Sequence, residues 1–270
     1  MGAGIAETCA RAGLPVTVVE LSTAAAQSGQ RRLETSLAKA EARGKVASAA
    51  EVLERIQIVE DIDALADSSL VIEAIMEDET VKTQLFRQLD RVVADPNAIL
   101  ASNTSSIPII KLGVVTDRPE SVMGIHFFNP VPVLSLVELV PSFLTAEATT
   151  ERARGFVQEV LGKHAIDCKD RAGFVVNALL IPFLLSAIRM VEDGVATPGD
   201  IDEGLVRGCA HPQGPLALSD LIGLDTVRAI ADSLYEEFKE SHYACPPLLA
   251  RMVEAGLLGR KSGRGFFTYS

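Results

Sequence analysis

The chain has 270 residues, 48% of them hydrophobic and 23% charged, an ordinary globular balance with length for one large or two modest domains. Its formal net charge of -11 excludes a protein that grips nucleic acid through bulk positive charge. Four scattered cysteines (Cys9, Cys168, Cys209, Cys245) without a CxxC spacing read as thiols of a reducing compartment, the cytoplasm, and four histidines in no HExxH-like cluster predict no metal site.

In chain order, Met1-Gly2-Ala3-Gly4-Ile5-Ala6 followed by Ala10-Arg11-Ala12-Gly13 predicts the first helix of a nucleotide-binding βαβ unit. Gly13 ends that helix, and Pro15-Val16-Thr17-Val18-Val19-Glu20 supplies the next strand, closing on an acid. A carboxylate about 20 residues past a glycine turn accepts hydrogen bonds from the ribose hydroxyls of an adenosine. Glu20 follows Gly2 at about that distance and would repel a 2′-phosphate, which favours NAD over NADP. Of the G-x-G-x-x-G fingerprint only the last glycine is present, as Gly2. A sheet without the strand that precedes it leaves backbone unpaired, so the true chain is expected to begin about ten residues upstream of Met1.

β-rich runs at 16–20, 56–59, 70–74, 98–101, 122–127 and 136–140 alternate with helical stretches at 23–43, 79–93 and 146–161. Strand and helix in turn predict a doubly wound, mainly parallel sheet. Leu70-Val71-Ile72 reads as a strand buried on both faces. Beyond 171 the strand signal fades, and 174–192, 201–207, 216–220, 225–240 and 247–255 read as helices punctuated by Gly and Pro. The apolar run 174–191 contains Asn177, Pro182, Ser186 and Arg189, which makes it a core helix and not a membrane span. The expected organisation is an α/β Rossmann-like domain over 1–170, its first strand missing, and an all-α domain over 171–270.

The chemistry concentrates in Met123-Gly124-Ile125-His126-Phe127-Phe128-Asn129-Pro130-Val131-Pro132-Val133 and the Val137-Glu138-Leu139 that follows. His126 and Glu138 lie in two β-like runs on either side of a Pro-rich reversal. As neighbouring strands these runs would bring both side chains to one face, with Cβ atoms ~5 Å apart. A carboxylate on one imidazole nitrogen fixes the tautomer and leaves the other as a base poised near neutral pH; the bland alternative is a structural hydrogen bond. Ser102-Asn103-Thr104-Ser105-Ser106 follows the strand at 98–101, where open α/β sheets bind ligands. One of its hydroxyls is also suited to cap a helix at 107–112.

Ala101-Ser102-Asn103-Thr104-Ser105-Ser106, Gly124-Ile125-His126-Phe127-Phe128-Asn129-Pro130, Asp170-Arg171-Ala172-Gly173-Phe174-Val175-Val176-Asn177, His211-Pro212-Gln213-Gly214-Pro215 and Gly263-Arg264-Gly265-Phe266-Phe267 occur in that order. With these motifs the sequence resembles the short-chain 3-hydroxyacyl-CoA dehydrogenase family over essentially its whole length. The resemblance implies reversible oxidation of an (S)-3-hydroxyacyl-CoA, with 3-hydroxybutyryl-CoA the expected substrate, to the 3-oxoacyl-CoA with NAD. It makes His126 the base for the 3-hydroxyl proton and Glu138 its orienting partner, with Ser105 and Asn177 hydrogen-bonded to substrate oxygens. It places Gly2, Glu20, Glu77 and Asn103 at the cofactor and Lys82 at the mouth of the CoA site. Lys39, Arg43 and Lys45 are further cations for the CoA polyanion, or solvated helix surface.

The resemblance also implies a homodimer through the helical domain, where 178–188 and 227–238 carry more apolar surface than a small bundle hides. Gln213 departs from the Met usual in its motif, and His211 reads as a turn or packing residue. Gly259-Arg260-Lys261-Ser262-Gly263-Arg264-Gly265 reads as a tight basic loop. Two other functions stay open: an NAD-dependent dehydrogenase of a small hydroxy acid, and a non-catalytic nucleotide- or CoA-binding protein.

Overall fold

The computed structural model describes residues 1–269. They divide into two compact units, Met1–Asp170 and the residues from Arg171 onward. The first opens on helix α1 (Gly2–Arg11), whose buried Ile5, Ala6, Cys9 and Ala10 form one stripe of a 3.6-residue repeat. Gly13, at φ +88°, turns the chain into β1 (Val16–Val19). Helix α2 (Thr23–Ala42) is capped by the Ser22 hydroxyl, which accepts the Ala25 amide, and buries Gly29, Leu33, Leu37 and Ala40. Helix α3 (Ala49–Leu53) leads into β2 (Ile56–Val59), parallel to β1. There follow β3 (Leu70–Glu73), α4 (Glu79–Val92), β4 (Ile99–Ser102), α5 (Ile109–Gly113), β5 (Val122–Phe127), β6 (Leu136–Pro141), α6 (Glu147–Gly155) and β7 (His164–Asp167).

The strands form two sheets, β1-β2 and β3-β4-β5-β6-β7, parallel throughout except for the antiparallel β5–β6 pair. The parallel sheet is thus interrupted: among the described residues β1 pairs only with β2, and β3 only with β4. Side chains bridge the break, since Val16 of β1 and Leu70 and Ile72 of β3 pack on the buried cluster that holds Ile5 and Cys9 of α1.

Three expectations need correction. Leu70-Val71-Ile72 is not buried on both faces; Leu70 and Ile72 are only half-buried, because β3 ends the five-stranded sheet. The helix expected at 146–161 stops as α-helix at Gly155 and finishes in one π turn, Phe156–Val160, closed by the Leu161 amide on the Phe156 carbonyl at 3.0 Å. Strand β7 has no counterpart in the predicted runs, since four residues ending in an exposed acid carry too little alternation to register.

Close packing behind the antiparallel pair depends on Gly124. A Cβ there would lie 2.9 Å from the Val140 Cβ and 3.0 Å from the Ile109 Cδ1, so β5 reaches β6 and α5 only because residue 124 lacks a side chain.

The second unit is all-helical: α7 (Val176–Glu192), α8 (Pro198–Cys209), α9 (Pro215–Ile222), α10 (Leu224–Phe238) and α11 (Pro247–Glu254). Ile181, Leu184, Leu185 and Ile188 of α7 meet Leu224, Val227, Ala231 and Leu234 of α10 in its core. Proline opens α8, α9 and α11, where the missing N–H costs nothing. Asp202 of α8 caps α9, its two oxygens accepting the Leu216 and Ala217 amides at 2.8 Å each. Asp220 likewise accepts the Phe266 and Phe267 amides and the Tyr269 hydroxyl. The His211 ring packs on Phe183 at 5.6 Å between centroids, and the basic loop is a single 3-10 turn, Arg260–Ser262, with Lys261 paired to Asp225. No described helix is long and apolar enough to cross a membrane.

Gly124→Ala is expected to lower unfolding stability by about 1–3 kcal/mol, because the added methyl meets a strand Cβ that cannot swing away. Urea unfolding checks this, and a midpoint equal to that of the native protein would show that Val140 and Ile109 give way freely.

Candidate active site

The register of β5 and β6 sets His126 directly opposite Glu138. Opposed residues of an antiparallel pair point to the same side of the sheet. Ile125, Phe127, Val137 and Leu139, one step away along each strand, go into the apolar core on the other side. His126 Nδ1 and Glu138 Oε2 are 2.7 Å apart, with His126 5% and Glu138 0% exposed. Phe128 contacts the imidazole edge-on at 4.6 Å between centroids, which fixes the ring plane. Away from water, a carboxylate acceptor at this distance keeps the imidazole proton on Nδ1.

Strand β4 lies beside β5 and ends at Ser102, where the 102–106 loop begins. Asn103 ties the strand ends together. Its amide donates to the Glu73 carbonyl at 2.8 Å, and its Oδ1 accepts the Phe127 amide at 2.8 Å. Beyond it Thr104 Oγ1 accepts the Ser106 and Ile107 amides. Glu77 Oε1 then gathers the loop, accepting the Thr104 hydroxyl at 2.5 Å, the Ser105 and Ser106 amides at 3.0 and 3.2 Å, and the Ser106 hydroxyl at 3.0 Å. Burial by itself would raise the Glu77 pKa. The Thr104 hydrogen bond, the Lys82 charge and the bonds from Ser105 and Ser106 outweigh it and hold this carboxyl below the ordinary Glu value. Ser105 is half-buried in the middle of the loop.

The helix cap expected from this loop comes from elsewhere. The first amides of α5, those of Ile109 and Ile110, donate to Asp170 Oδ1 and Oδ2 at 2.7 and 2.8 Å. Thr104 makes a local turn instead. Burial pushes the Asp170 pKa up despite the two amides.

Lys82 is not a solvent-facing cation at the mouth of a CoA site. Its side chain is 1% exposed, and its ammonium lies 2.7 Å from Glu73 Oε1 and 3.2 Å from Glu77 Oε2. An ammonium shut between two carboxylates has no solvent face to offer a phosphate. Glu73, which holds it, was not singled out among the candidate residues. The available signal was an acid closing an apolar strand, the same pattern that drew attention to Glu20.

Glu20 follows β1 with its amide on the Val59 carbonyl at 2.9 Å, and no described residue donates a hydrogen bond to its carboxylate. Gly29 of α2 faces it; a Cβ there would lie 3.7 Å from Glu20 Oε1. Gly2 begins α1, where a Cβ would meet only Ala74, at 3.9 Å. His126, Glu138, Asn103, Ser105, Glu77 and Lys82 thus belong to the first unit, and the loop and the two buried networks gather at the carboxyl ends of β3, β4 and β5. Asn177 belongs to the second unit, in the first turn of α7, where it is 9% exposed.

Residues 1–171 match the sequence family described as 3-hydroxyacyl-CoA dehydrogenase, NAD binding domain, and residues 173–269 match 3-hydroxyacyl-CoA dehydrogenase, C-terminal domain. The chain belongs to the 3-hydroxyacyl-CoA dehydrogenase family. It is 57% identical over 271 residues to the 3-hydroxybutyryl-CoA dehydrogenase of Mycobacterium tuberculosis, covering 100% of this chain and 95% of that one. The crystal structure of M. tuberculosis FadB2 matches with a TM-score of 0.99 at 57% identity, over 100% of this chain and 95% of that one. The structure of (S)-3-hydroxybutyryl-CoA dehydrogenase PaaH1 from Ralstonia eutropha matches with a TM-score of 0.91 at 45% identity, over the same shares, 100% and 95%. The first unit is therefore the NAD-binding α/β domain of the family, and α7–α11 form its helical C-terminal domain.

Because the Glu77 carboxyl is held below its unfolded value, its contribution to stability is present above the ordinary Glu range and is lost as pH falls through the folded value. Glu77→Gln is expected to lower the urea midpoint at pH 7, and its gap from the native protein should close below about pH 4. A gap constant across that range would show that the charge on Glu77 plays no part.

Proposed function

We propose that the chain interconverts (S)-3-hydroxybutyryl-CoA and acetoacetyl-CoA with His126 as the general base. As a family member it is an NAD-dependent 3-hydroxyacyl-CoA dehydrogenase; the short acyl chain is carried over from the relatives named above. The observation that carries the assignment is the buried His126–Glu138 pair in the sheet of an NAD-binding domain.

With its proton on Nδ1, the imidazole presents the Nε2 lone pair to the 3-hydroxyl. As Nε2 takes that proton, positive charge develops on the ring 2.7 Å from a carboxylate already in place, so no side chain has to reorganise. Ser105 would hydrogen-bond a substrate oxygen and hold C3 in line. NAD, when bound, supplies the acceptor for the hydride that leaves C3. Glu20 fits the adenosine ribose, since its carboxylate accepts no hydrogen bond from a described residue and stands at the tip of β1. Gly2 and the first turn of α1 would hold the pyrophosphate, with Asn103 and Glu77 as further residues toward the cofactor.

With Lys82 withdrawn into the interior, the cations left for the CoA phosphates are Lys39, Arg43 and Lys45, all exposed at or just beyond the end of α2. The protein acts as a homodimer through its helical domain. Leu179 is 73% and Met190 41% exposed on a helix whose other side is core, a face that a second copy would cover. Four free thiols, two of them buried, suit the cytoplasm.

The test is acetoacetyl-CoA reduction followed with NADH and with NADPH, where NADH should be strongly preferred. His126→Ala should lower kcat by ~10^2- to 10^4-fold while the fold is kept, and an unchanged rate would remove it from the mechanism. Glu138→Gln should both slow the reaction and move the pH profile of kcat/KM. A slower enzyme with an unmoved profile would make the pair structural only.

A further inference from the structure

Glu73 lies under the proposed site without touching the proposed substrate position. It ends β3, is 3% exposed, and uses every oxygen it has. Oε1 accepts the Lys82 ammonium at 2.7 Å and the Ile75 amide at 2.6 Å, Oε2 accepts the Ser102 hydroxyl at 2.6 Å, and its carbonyl accepts the Asn103 amide at 2.8 Å. Two separate chains of bonds run from this carboxylate into the loop, one to Thr104 and one to Ser105. One goes through Ser102 Oγ, which accepts the Thr104 amide at 3.1 Å. The other goes through Lys82 to Glu77, whose Oε1 holds the Ser105 and Ser106 amides.

Stability alone does not call for such an arrangement. A buried ammonium and carboxylate lose so much hydration that apolar side chains of the same volume are commonly as stable or more so. What apolar side chains cannot do is fix the direction of Glu77 or of the Ser102 hydroxyl. The loop they hold carries no regular backbone ladder; from Asn103 to Pro108 it is neither helix nor strand.

We infer that Glu73 and Lys82 are positioning residues, a buried ion pair that sets the 102–106 loop, and with it Ser105, at the carboxyl end of β4. The inference rests on the reading above that Ser105 holds a substrate oxygen. Lys82 acts here as a buried tether, and its charge is directed inward to carboxylates.

The decisive variant is the double substitution Glu73→Gln with Lys82→Met, which removes both buried charges together. Glu73→Gln alone would strand the ammonium and confound folding with function. Acetoacetyl-CoA reduction and thermal unfolding are measured on the same samples. The double variant is expected to recover most of the midpoint lost by Glu73→Gln while its kcat stays about 10- to 100-fold low, the scale on which small misplacements of a reacting group are felt. A pair that is only structural would return kcat together with the midpoint, and that result overturns the inference.

Should the double variant not fold, Ser102→Ala decides. It deletes one hydroxyl of the other chain, and a folded Ser102→Ala with native kcat overturns the inference, whereas a several-fold loss supports it. Ser105→Ala runs alongside. Native kinetics there would remove the reading of Ser105 and this inference with it, whereas a damaged Ser105→Ala beside an intact double variant overturns the tether alone.

Discussion

A one-residue slip between β5 and β6 would turn His126 into the apolar core and bring an apolar residue opposite it. Everything else in the site is arranged around that register. Side chains alternate along a strand, so the pairing that buries Ile125, Phe127, Val137 and Leu139 on one face is the same pairing that brings the imidazole and the carboxylate together on the other. The hydrophobic effect therefore selects the geometry of the polar pair, and the pair needs no separate device to find it. Gly124 belongs to the same constraint, since it permits the close approach of β6 and α5 that holds the register two residues before His126.

The loop beside this pair is held differently. Strands position a side chain through a ladder of backbone bonds, but from Asn103 to Ser106 there is no ladder, and carboxylates replace it. Glu77 gathers three consecutive loop residues on one oxygen. Asp170 closes the start of the short helix that follows. The helical domain repeats the device, with Asp202 capping α9 and Asp220 holding the C-terminal turn. An acceptor with two oxygens can satisfy two adjacent amides at once, which is what the unpaired first turn of a helix requires. Some of the chain's carboxylates are thus internal scaffolding.

This division explains what the sequence discloses. The His126–Glu138 pairing is legible because both ingredients are local: alternation along each run, and a Pro-rich reversal between them. The polar run after β4 is legible because strand ends are where open sheets gather polar groups. The place of Lys82 is not legible. A residue's position on α4 gives the face it occupies, but nothing in the spacing says that the last residue of β3 lies beneath that face with its carboxylate turned inward. Asp170 is hidden for the same reason, since its partners, Ile109 and Ile110, are some sixty residues away. The break between β1 and β3 is equally non-local, a matter of which neighbour a segment meets.

The two ways of holding a side chain also differ in what they put at risk. His126 sits on a strand whose neighbours Ile125 and Phe127 are core, so shifting that strand is felt first as loss of fold, whereas truncating the imidazole leaves the core side untouched. The loop is fixed by charges and hydroxyls that carry little of the apolar burial, so changes there can alter where Ser105 lies while the sheet stays intact. Rigid placement of the imidazole and tunable placement of the loop follow from the same sheet, one by packing and the other by hydrogen bonds at its edge. Substitutions that loosen the carboxylate contacts can therefore move the loop without disturbing the His126–Glu138 pair.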